Sequence, residues 1–204
     1  GDLNIASGDM VTLQPGTQFL FDGEYNFTIY GTLIAIGTES DSIIFDNFGD
    51  EKWRGFTLEN ASDETEFRYV RISEAEKEVG GGMHLYSSNP TLTNVTIANN
   101  TVEHSGGGMY LYISNPTLRN VTIADNTATE WNGGGIQINS SNPTIINSII
   151  WDNSPESISE NGSFNFLIVF SDIQGGWEGE DNIDYDPLFV DSDNGDFTLQ
   201  GGSP

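Results

Sequence analysis

The stretch NPTLTNVTIANN, from Asn89 to Asn100, decides the fold because it returns along the chain. It recurs as NPTLRNVTIADN from Asn115, 26 residues later, and as NPTIINSIIWDN from Asn142, 27 residues after that. A degenerate copy follows from Asn165 to Ile173. A fixed period in this range indicates a repeat architecture in which each repeat is one supersecondary unit.

A second element repeats in step with the first. It reads GGGMHLY from Gly80, GGGMYLY from Gly106 and GGGIQIN from Gly133. Alternation of apolar and polar residues is typical of half-buried strands, and the intervening Gly, Asn, Pro and Ser are turn residues. Short strands without a helix cannot cover their own apolar face, so successive repeats must stack, with each strand about 4.8 Å from its copies. The sequence therefore predicts an all-β fold, a parallel β-solenoid.

The alternation also assigns each strand residue to the inner or the outer face of its sheet. The residues expected inside are Met83, Leu85, Met109, Leu111, Ile136 and Ile138. The residues expected outside are His84, Tyr86, Tyr110, Tyr112, Gln137 and Asn139. Two further positions carry recurring asparagines, namely Asn94, Asn120 and Asn147, and then Asn100, Asn126 and Asn153. We interpret both sets as structural, because stacked side-chain amides can hydrogen-bond along a solenoid at its bends.

The composition excludes several classes of partner. Six Lys and Arg residues stand against 31 Asp and Glu residues, which gives a formal charge of −25. This charge repels nucleic-acid phosphates and anionic membranes, so we expect no nucleic-acid partner. No run approaches the roughly 20 apolar residues that span a bilayer, so we expect no membrane insertion in this segment. Cysteine is absent, which excludes disulfides and thiolate metal sites.

Several stretches resemble bacterial right-handed β-helix proteins of the pectate-lyase-like superfamily. They are GTLIAIG from Gly31, Trp53-Arg54-Gly55, the Gly-Gly-Gly and Asn-Pro-Thr repeats, SDIQGG from Ser171, DPLFVD from Asp186, and LQGGSP from Leu199. The DPLFVD signature is similar to that of the secreted or surface-anchored members. The resemblance implies a right-handed parallel β-helix of about 7 to 8 rungs with three sheets per coil. It also implies secretion or display on a bacterial surface.

The even composition and the extent of the regular repeats set the expected domain organisation. We expect one β-helix domain over residues 1–204, with amino-terminal rungs in 1–53, regular repeats in 54–153, and degenerate last rungs and a carboxy-terminal cap region in 154–204. Such proteins continue beyond the final Ser-Pro, so we expect this segment to be part of a longer protein. Where the family has a ligand, it is a polysaccharide in a groove along an outer sheet.

The outer columns and the turns before the glycine corners are the candidate polysaccharide site. The candidate ligand-binding residues are His84, Tyr86, Tyr110, Tyr112, Gln137, His104, Trp131 and Glu130. Aromatic faces stack on sugar rings, and amides and carboxylates bind their hydroxyls. The alternative is that outward Tyr and His only stabilise the sheet by stacking across strands, which requires no ligand.

Catalysis needs groups of a different kind. Polysaccharide β-elimination needs a base and a positive group, and Arg54 at the groove edge is the candidate base. Its alternative role is a salt bridge from a turn. Glycoside hydrolysis needs clustered carboxylates, for which Glu59, Glu78 and Glu103 on adjacent rungs are the candidates.

The last quarter of the chain is a candidate metal site. Asp191, Asp193 and Asp196 offer oxygen ligands at alternating positions, as a structural calcium ion requires. The alternative is an acidic, turn-rich terminal rung. No cofactor is required on either interpretation.

Two functional hypotheses follow. The first is a non-catalytic module of a secreted or cell-surface bacterial protein, acting as a structural spacer or adhesin-like polysaccharide binder. The alternative is a carbohydrate-active enzyme, either a polysaccharide lyase or a glycosidase.

Overall fold

The computed structural model describes residues 1–162 and 166–204. Asn165, the first residue of the degenerate repeat copy, lies outside the described residues. Within these ranges the elements are strands, apart from one 3-10 turn at Ser192–Asn194. No helix in the described ranges is long and apolar enough to cross a membrane. The all-β prediction is confirmed.

The first sheet includes the three strands that follow the glycine triplets. Its members, all parallel, are Leu3–Ile5, Phe27–Ile29, Phe56–Glu59, Met83–Tyr86, Met109–Tyr112, Ile136–Asn139 and Ile158–Asn161. Neighbouring copies pair in register, so that Met83 lies opposite Met109 and Leu85 opposite Leu111. These seven strands enclose about six full turns, slightly fewer than the 7 to 8 expected.

The second sheet has twelve strands arranged in two arms. One arm contains Met10–Leu13, Thr32–Ile36, Thr117–Arg119, Thr144–Ile146 and Leu167–Val169. The other contains Gln18–Phe21, Ile43–Asn47, Thr122–Ala124, Ile149–Trp151 and Asp172–Ile173. The long strands Glu66–Ser73 and Thr91–Ala98 run through both arms and join them.

The bend between the two arms explains one of the asparagine positions. Asn94, Asn120 and Asn147 have φ values of 53°, 54° and 51° there. Asparagine tolerates this left-handed conformation better than most residues. Their amides also stack, because Nδ2 of Asn120 donates to Oδ1 of Asn94 at 3.0 Å. The predicted structural role is confirmed.

A third, small sheet completes the central coils. It contains Glu76–Lys77, Thr101–Val102 and Thr127–Ala128, and it precedes the glycine triplets along the chain. The corner needs glycine, because a Cβ on Gly108 would lie 2.7 Å from the carbonyl oxygen of Gly135 in the next turn. The prediction of three sheets per coil is confirmed.

The core is a stack of side chains that changes character along the axis. In the middle it is aliphatic, as predicted, and Met83, Leu85, Met109 and Leu111 are fully buried. In the amino-terminal turns it is aromatic, and its rings belong to Phe19, Phe21, Phe27, Phe45, Trp53, Phe56 and Phe67. Rings of this size pack there beside an aliphatic ladder of Ile5, Ile29 and Leu58.

The part of the chain that follows the last regular turn has two segments. Residues 177–185 cover the final turn, where the amide of Ile183 donates to Ser171 O at 2.9 Å and Trp177 packs on Phe166. The antiparallel strands Phe189–Asp191 and Asp196–Leu199 then form a terminal hairpin. The hairpin lies along the second sheet, against Asn120 and Asn147, and not over the end of the coil. Of residues 166–204, the part that covers the end of the coil is 177–185.

Candidate functional site

A groove follows the edge where the third sheet turns into the first. Arg54 lies at its centre and lines three adjoining depressions, one of which has a volume of about 420 Å³. The guanidinium of Arg54 pairs with Glu24, and its Nη1 donates to the carbonyl oxygen of Glu76 at 3.1 Å. The salt bridge expected as its alternative role is therefore present. Lys52, Arg54 and Lys77, half of the basic residues of the chain, line this groove.

Lys77 is a groove residue that the sequence analysis missed. Its Nζ donates to the carbonyl oxygen of Phe56 at 2.9 Å and to Oγ1 of Thr57 at 3.3 Å. Burial, and then the positive charge of Arg54, lower the pKa of Lys77 from 10.5 to about 7. A signal was present in the repeat, because Lys77 pairs in register with Val102, which is buried. A lysine at an apolar position of a repeat marks such a site.

His84 lies on the first sheet, beside Lys77 of the third sheet. Its ring meets the ring of Tyr110 edge to face, with centroids 5.1 Å apart. Burial, and then the charge of Lys77, lower the pKa of His84 from 6.5 to about 4. His84 is therefore a neutral imidazole at neutral pH and can accept or donate a hydrogen bond in the groove.

The outer columns of the first sheet are less open than the alternation suggests. Tyr86 and Tyr112 stack with ring centroids 5.4 Å apart, and Tyr86 remains 40% exposed. Gln137 is only 3% exposed, and its Nε2 donates to the carbonyl oxygens of Ile138 at 3.3 Å and Ser159 at 3.4 Å. Although Gln137 occupies the expected column, its amide is committed to the backbone and offers little surface to a ligand.

The turns of two successive coils form a platform, here called the ledge, from Glu103, His104, Glu130 and Trp131. The rings of His104 and Trp131 stack with centroids 4.5 Å apart and planes 22° apart. Trp131 is 60% exposed, so its other face is open to solvent. The amide of Glu130 donates to the carbonyl oxygen of Glu103 at 2.9 Å, which holds the two turns together. The structure thus brings together four residues that the sequence placed in one set of turns.

The three candidate carboxylates for hydrolysis do not form one cluster. Glu78 and Glu103 line the same depression of the groove. Glu59 pairs in register with Tyr86 at the far end of a first-sheet strand. Each strand residue adds about 3.3 Å, so the length of the strand separates Glu59 from the groove.

Two of the three candidate calcium ligands, Asp191 and Asp196, accept hydrogen bonds within the terminal hairpin. Both carboxylate oxygens of Asp191 accept from Nδ2 of Asn194, at 3.0 and 2.9 Å. The carboxylate of Asp196 accepts from Oγ1 and the amide of Thr198, which lowers the pKa of Asp196. The charge of Asp193 contributes, after burial and Asp152, to the raised pKa of Asp125. Across residues 1–162 and 166–204, the group of three donors close enough for a metal ion is Glu103, His104 and Glu130.

Comparison with known proteins agrees with this architecture. A family model described as "Right handed beta helix region" matches residues 54–174, which is more than half of the chain. Neither the curated proteins nor the solved structures gave a match. Together with the parallel stack of the first sheet, the match shows that this chain belongs to the right-handed β-helix family.

Proposed function

We propose that the chain is a non-catalytic module of a secreted or cell-surface bacterial protein, where it acts as a rigid spacer and binds polysaccharide on the ledge. The observation that carries the proposal is the open face of Trp131, backed by His104 and flanked by the carboxylates of Glu103 and Glu130. A sugar ring stacks on such a face, and the carboxylates accept hydrogen bonds from its hydroxyls.

The spacer role is supported by the way the coils are joined. Successive turns pair in register in all three sheets, and stacked side chains fill the interior. Each coil contacts only its neighbours in such a solenoid, so length is added without a change of width. The charge of −25 keeps an extended rod soluble and separate from other copies. The secreted or surface location is supported by the resemblance to the pectate-lyase-like superfamily and by the DPLFVD stretch.

The charge of the ledge favours neutral polysaccharides. Glu103 and Glu130 are both exposed there, and repulsion between them and uronate carboxylates would oppose an acidic chain. The stacked pair of Tyr86 and Tyr112 lies on the first sheet, which follows these turns along the chain, and offers a second contact for a long polymer.

Glycan-array binding followed by calorimetry on the best ligand tests the proposal. Trp131→Ala should weaken binding at least about tenfold, the equivalent of about 1.4 kcal/mol. Tyr185→Ala is the matched control, because Tyr185 is 67% exposed but belongs to the carboxy-terminal segment, and it should leave binding unchanged. Unchanged binding by Trp131→Ala would overturn the assignment to the ledge.

One observation favours an enzyme as the second candidate. Lys77, with a pKa of about 7, lies in the groove beside the cationic Arg54. A neutral amine accepts a proton near neutral pH, and a guanidinium binds the carboxylate of a uronate. On this hypothesis the groove would act on acidic polysaccharides by β-elimination, with Lys77 as base and Arg54 as the substrate-binding cation.

Absorbance of unsaturated products from pectate, alginate and related polyuronates separates the two candidates. It should be followed with and without calcium, in the wild type and in Lys77→Met, Arg54→Ala and Glu103→Ala. The non-catalytic proposal predicts no turnover by any of these proteins. Turnover that is lost in Lys77→Met but kept in Arg68→Ala, on the second sheet, would establish the enzyme instead.

A further inference from the structure

We propose that Glu103, His104 and Glu130 form a binding site for one divalent transition-metal ion, with zinc as the ion that fits best. The site shares the ledge with the proposed sugar binding, but the inference does not depend on that function. It is also separate from Asp191, Asp193 and Asp196, where the sequence alone suggested calcium.

The distances between the donor atoms suit a small cation. One ligand atom from each of the three side chains lies within 4.8 Å of the others. Nδ1 of His104 and Oε2 of Glu130 are 3.5 Å apart. In a tetrahedral zinc site with bonds of about 2.0–2.2 Å, ligand atoms are separated by roughly 3.3–3.6 Å. Two of the donors already have this spacing, and the exposed side chain of Glu103 has room to complete it.

A second observation points independently to a ligand. Nδ1 of His104 is shielded from solvent, yet it has no hydrogen-bond partner among the described residues. Polar atoms that are buried in this way nearly always have a partner. The stack on Trp131 holds the plane of the imidazole, so that Nδ1 faces the carboxylate of Glu130. A metal ion between the two would use a nitrogen that the protein leaves unpaired.

The backbone prepares the site before any ion arrives. The amide of His104 donates to the carbonyl oxygen of Glu78 at 2.9 Å, and Oγ1 of Thr129 donates to the carbonyl oxygen of Glu103 at 3.2 Å. These bonds tie each ligand-bearing turn to its neighbour, so little order has to be gained on binding.

The donor set belongs to one pair of successive coils. Val102 pairs in register with Lys77, which puts Glu78 at the position of Glu103 one turn earlier and Val79 at that of His104. Valine offers no ligand, so the preceding turn lacks the nitrogen donor. The site is therefore a local feature and not a general property of an acidic repeat.

The mixture of nitrogen and oxygen donors selects the metal. Imidazole with carboxylates suits zinc and its neighbours in the first transition row, whereas calcium and magnesium take oxygen ligands. Three protein ligands leave one position for water or for a hydroxyl group of a bound sugar.

Calorimetric titration of the chelator-treated full chain with zinc tests the proposal. Excess magnesium and moderate salt suppress diffuse binding to the acidic surface. We expect one zinc ion per chain, and we expect His104→Gln and Glu130→Gln each to weaken binding at least about tenfold. Glu78→Gln is the matched control, since it removes one carboxylate from the equivalent turn, and it should keep the wild-type affinity. Cobalt bound in place of zinc should give a visible d–d absorption that His104→Gln loses.

Two results would overturn the proposal. One is the absence of stoichiometric zinc binding by the wild type, and the other is equal affinity in the wild type and His104→Gln. Circular dichroism and urea midpoints should match between the variants and the wild type, since Glu78 and Glu130 are exposed, His104 is only partly buried, and glutamine is close in size to the side chains it replaces. Glycan binding measured with and without chelator separates this inference from the proposed function, because either can fail while the other stands.

Discussion

Arg71 donates a hydrogen bond from Nη1 to the carbonyl oxygen of Gly195, at 3.0 Å and across 124 residues of sequence. Gly195 ends the 3-10 turn of the terminal hairpin with φ at 76°, and a Cβ at this position would contact the guanidinium of Arg71. The second sheet and the terminal hairpin are therefore fitted to one another at this point.

Replacement of Arg71 by alanine should release the hairpin from the flank of the solenoid. Hydrogen bonds to charged groups contribute about 1.5–3 kcal/mol, so the free energy of local opening should fall by a similar amount. Amide hydrogen exchange of Asp196–Leu199 measures this, and exchange there should accelerate by at least about tenfold. Arg68→Ala is the control, because Arg68 lies on the same strand and pairs with Glu66 instead. Equal exchange in both variants would contradict the prediction.

Asn126→Ala should be strongly destabilising. The Asn126 side chain is fully buried, its Nδ2 donates to Oδ1 of Asn153 at 3.0 Å, and its Oδ1 accepts from Nδ2 of Asn100 at 2.9 Å. Alanine leaves several buried groups unpaired at about 1–3 kcal/mol each, so we expect a loss of about 3 kcal/mol or more in urea unfolding. Asn120→Gly, which removes an exposed ladder amide but keeps the positive φ, should cost less than about 1 kcal/mol. A similar loss in both would show that the buried ladder has no special role.

The stability of the fold should depend on pH through His84. Its pKa falls from 6.5 to about 4 on folding, so between these values the unfolded chain binds a proton that the folded chain does not. The contribution of His84 is therefore complete above pH 6.5 and is lost as the pH decreases toward 4, by up to about 3 kcal/mol. Lys77, with a pKa of about 7, carries its proton through this range.

Urea unfolding of the wild type and His84→Gln at neutral pH and near pH 4 measures the effect. Glutamine does not titrate, so the difference in stability between the two proteins should shrink or reverse in acid. The comparison removes the contribution of the many carboxylates, since both proteins share them. Parallel pH dependences would refute the role of His84.

Gly108→Ala should disrupt the glycine corner. The added Cβ would lie 2.7 Å from the carbonyl oxygen of Gly135 and 2.8 Å from Cγ2 of Ile123. Overpacking of this kind costs typically about 1–3 kcal/mol, and the next turn has to shift because the nearest atom belongs to its backbone. Thermal unfolding measures the loss. Gly201→Ala, which adds a methyl group to open space, should change stability by less than about 0.5 kcal/mol.

The repeat predicted the stacking correctly because register in a solenoid follows from the period. The copies of Met83 and Leu85 in the next turn could be read from the sequence, and they pair as expected. The low exposure of Gln137 could not be predicted from the sequence, because alternation assigns a residue to a face of the sheet but does not show which neighbours cover it. Lys77 was missed because the strand Glu76–Lys77 has only two residues, which is too short to show a period.

The candidate site was predicted in part. Glu103, His104, Glu130 and Trp131 come from turns of equal position in the repeat, so their proximity was expected. The shielded Nδ1 of His104 and its spacing to Glu130 depend on side-chain rotation, which no sequence pattern records.

The sequence by itself determined the parallel coil, its aliphatic interior and its asparagine ladders, because each follows from a period repeated along the chain. Only the tertiary structure decided which outward groups meet in the basic groove around Arg54 and Lys77 and in the contact of Arg71 with Gly195. The physical reason is that a repeat specifies contacts between equivalent positions, whereas these contacts join residues that the period does not relate.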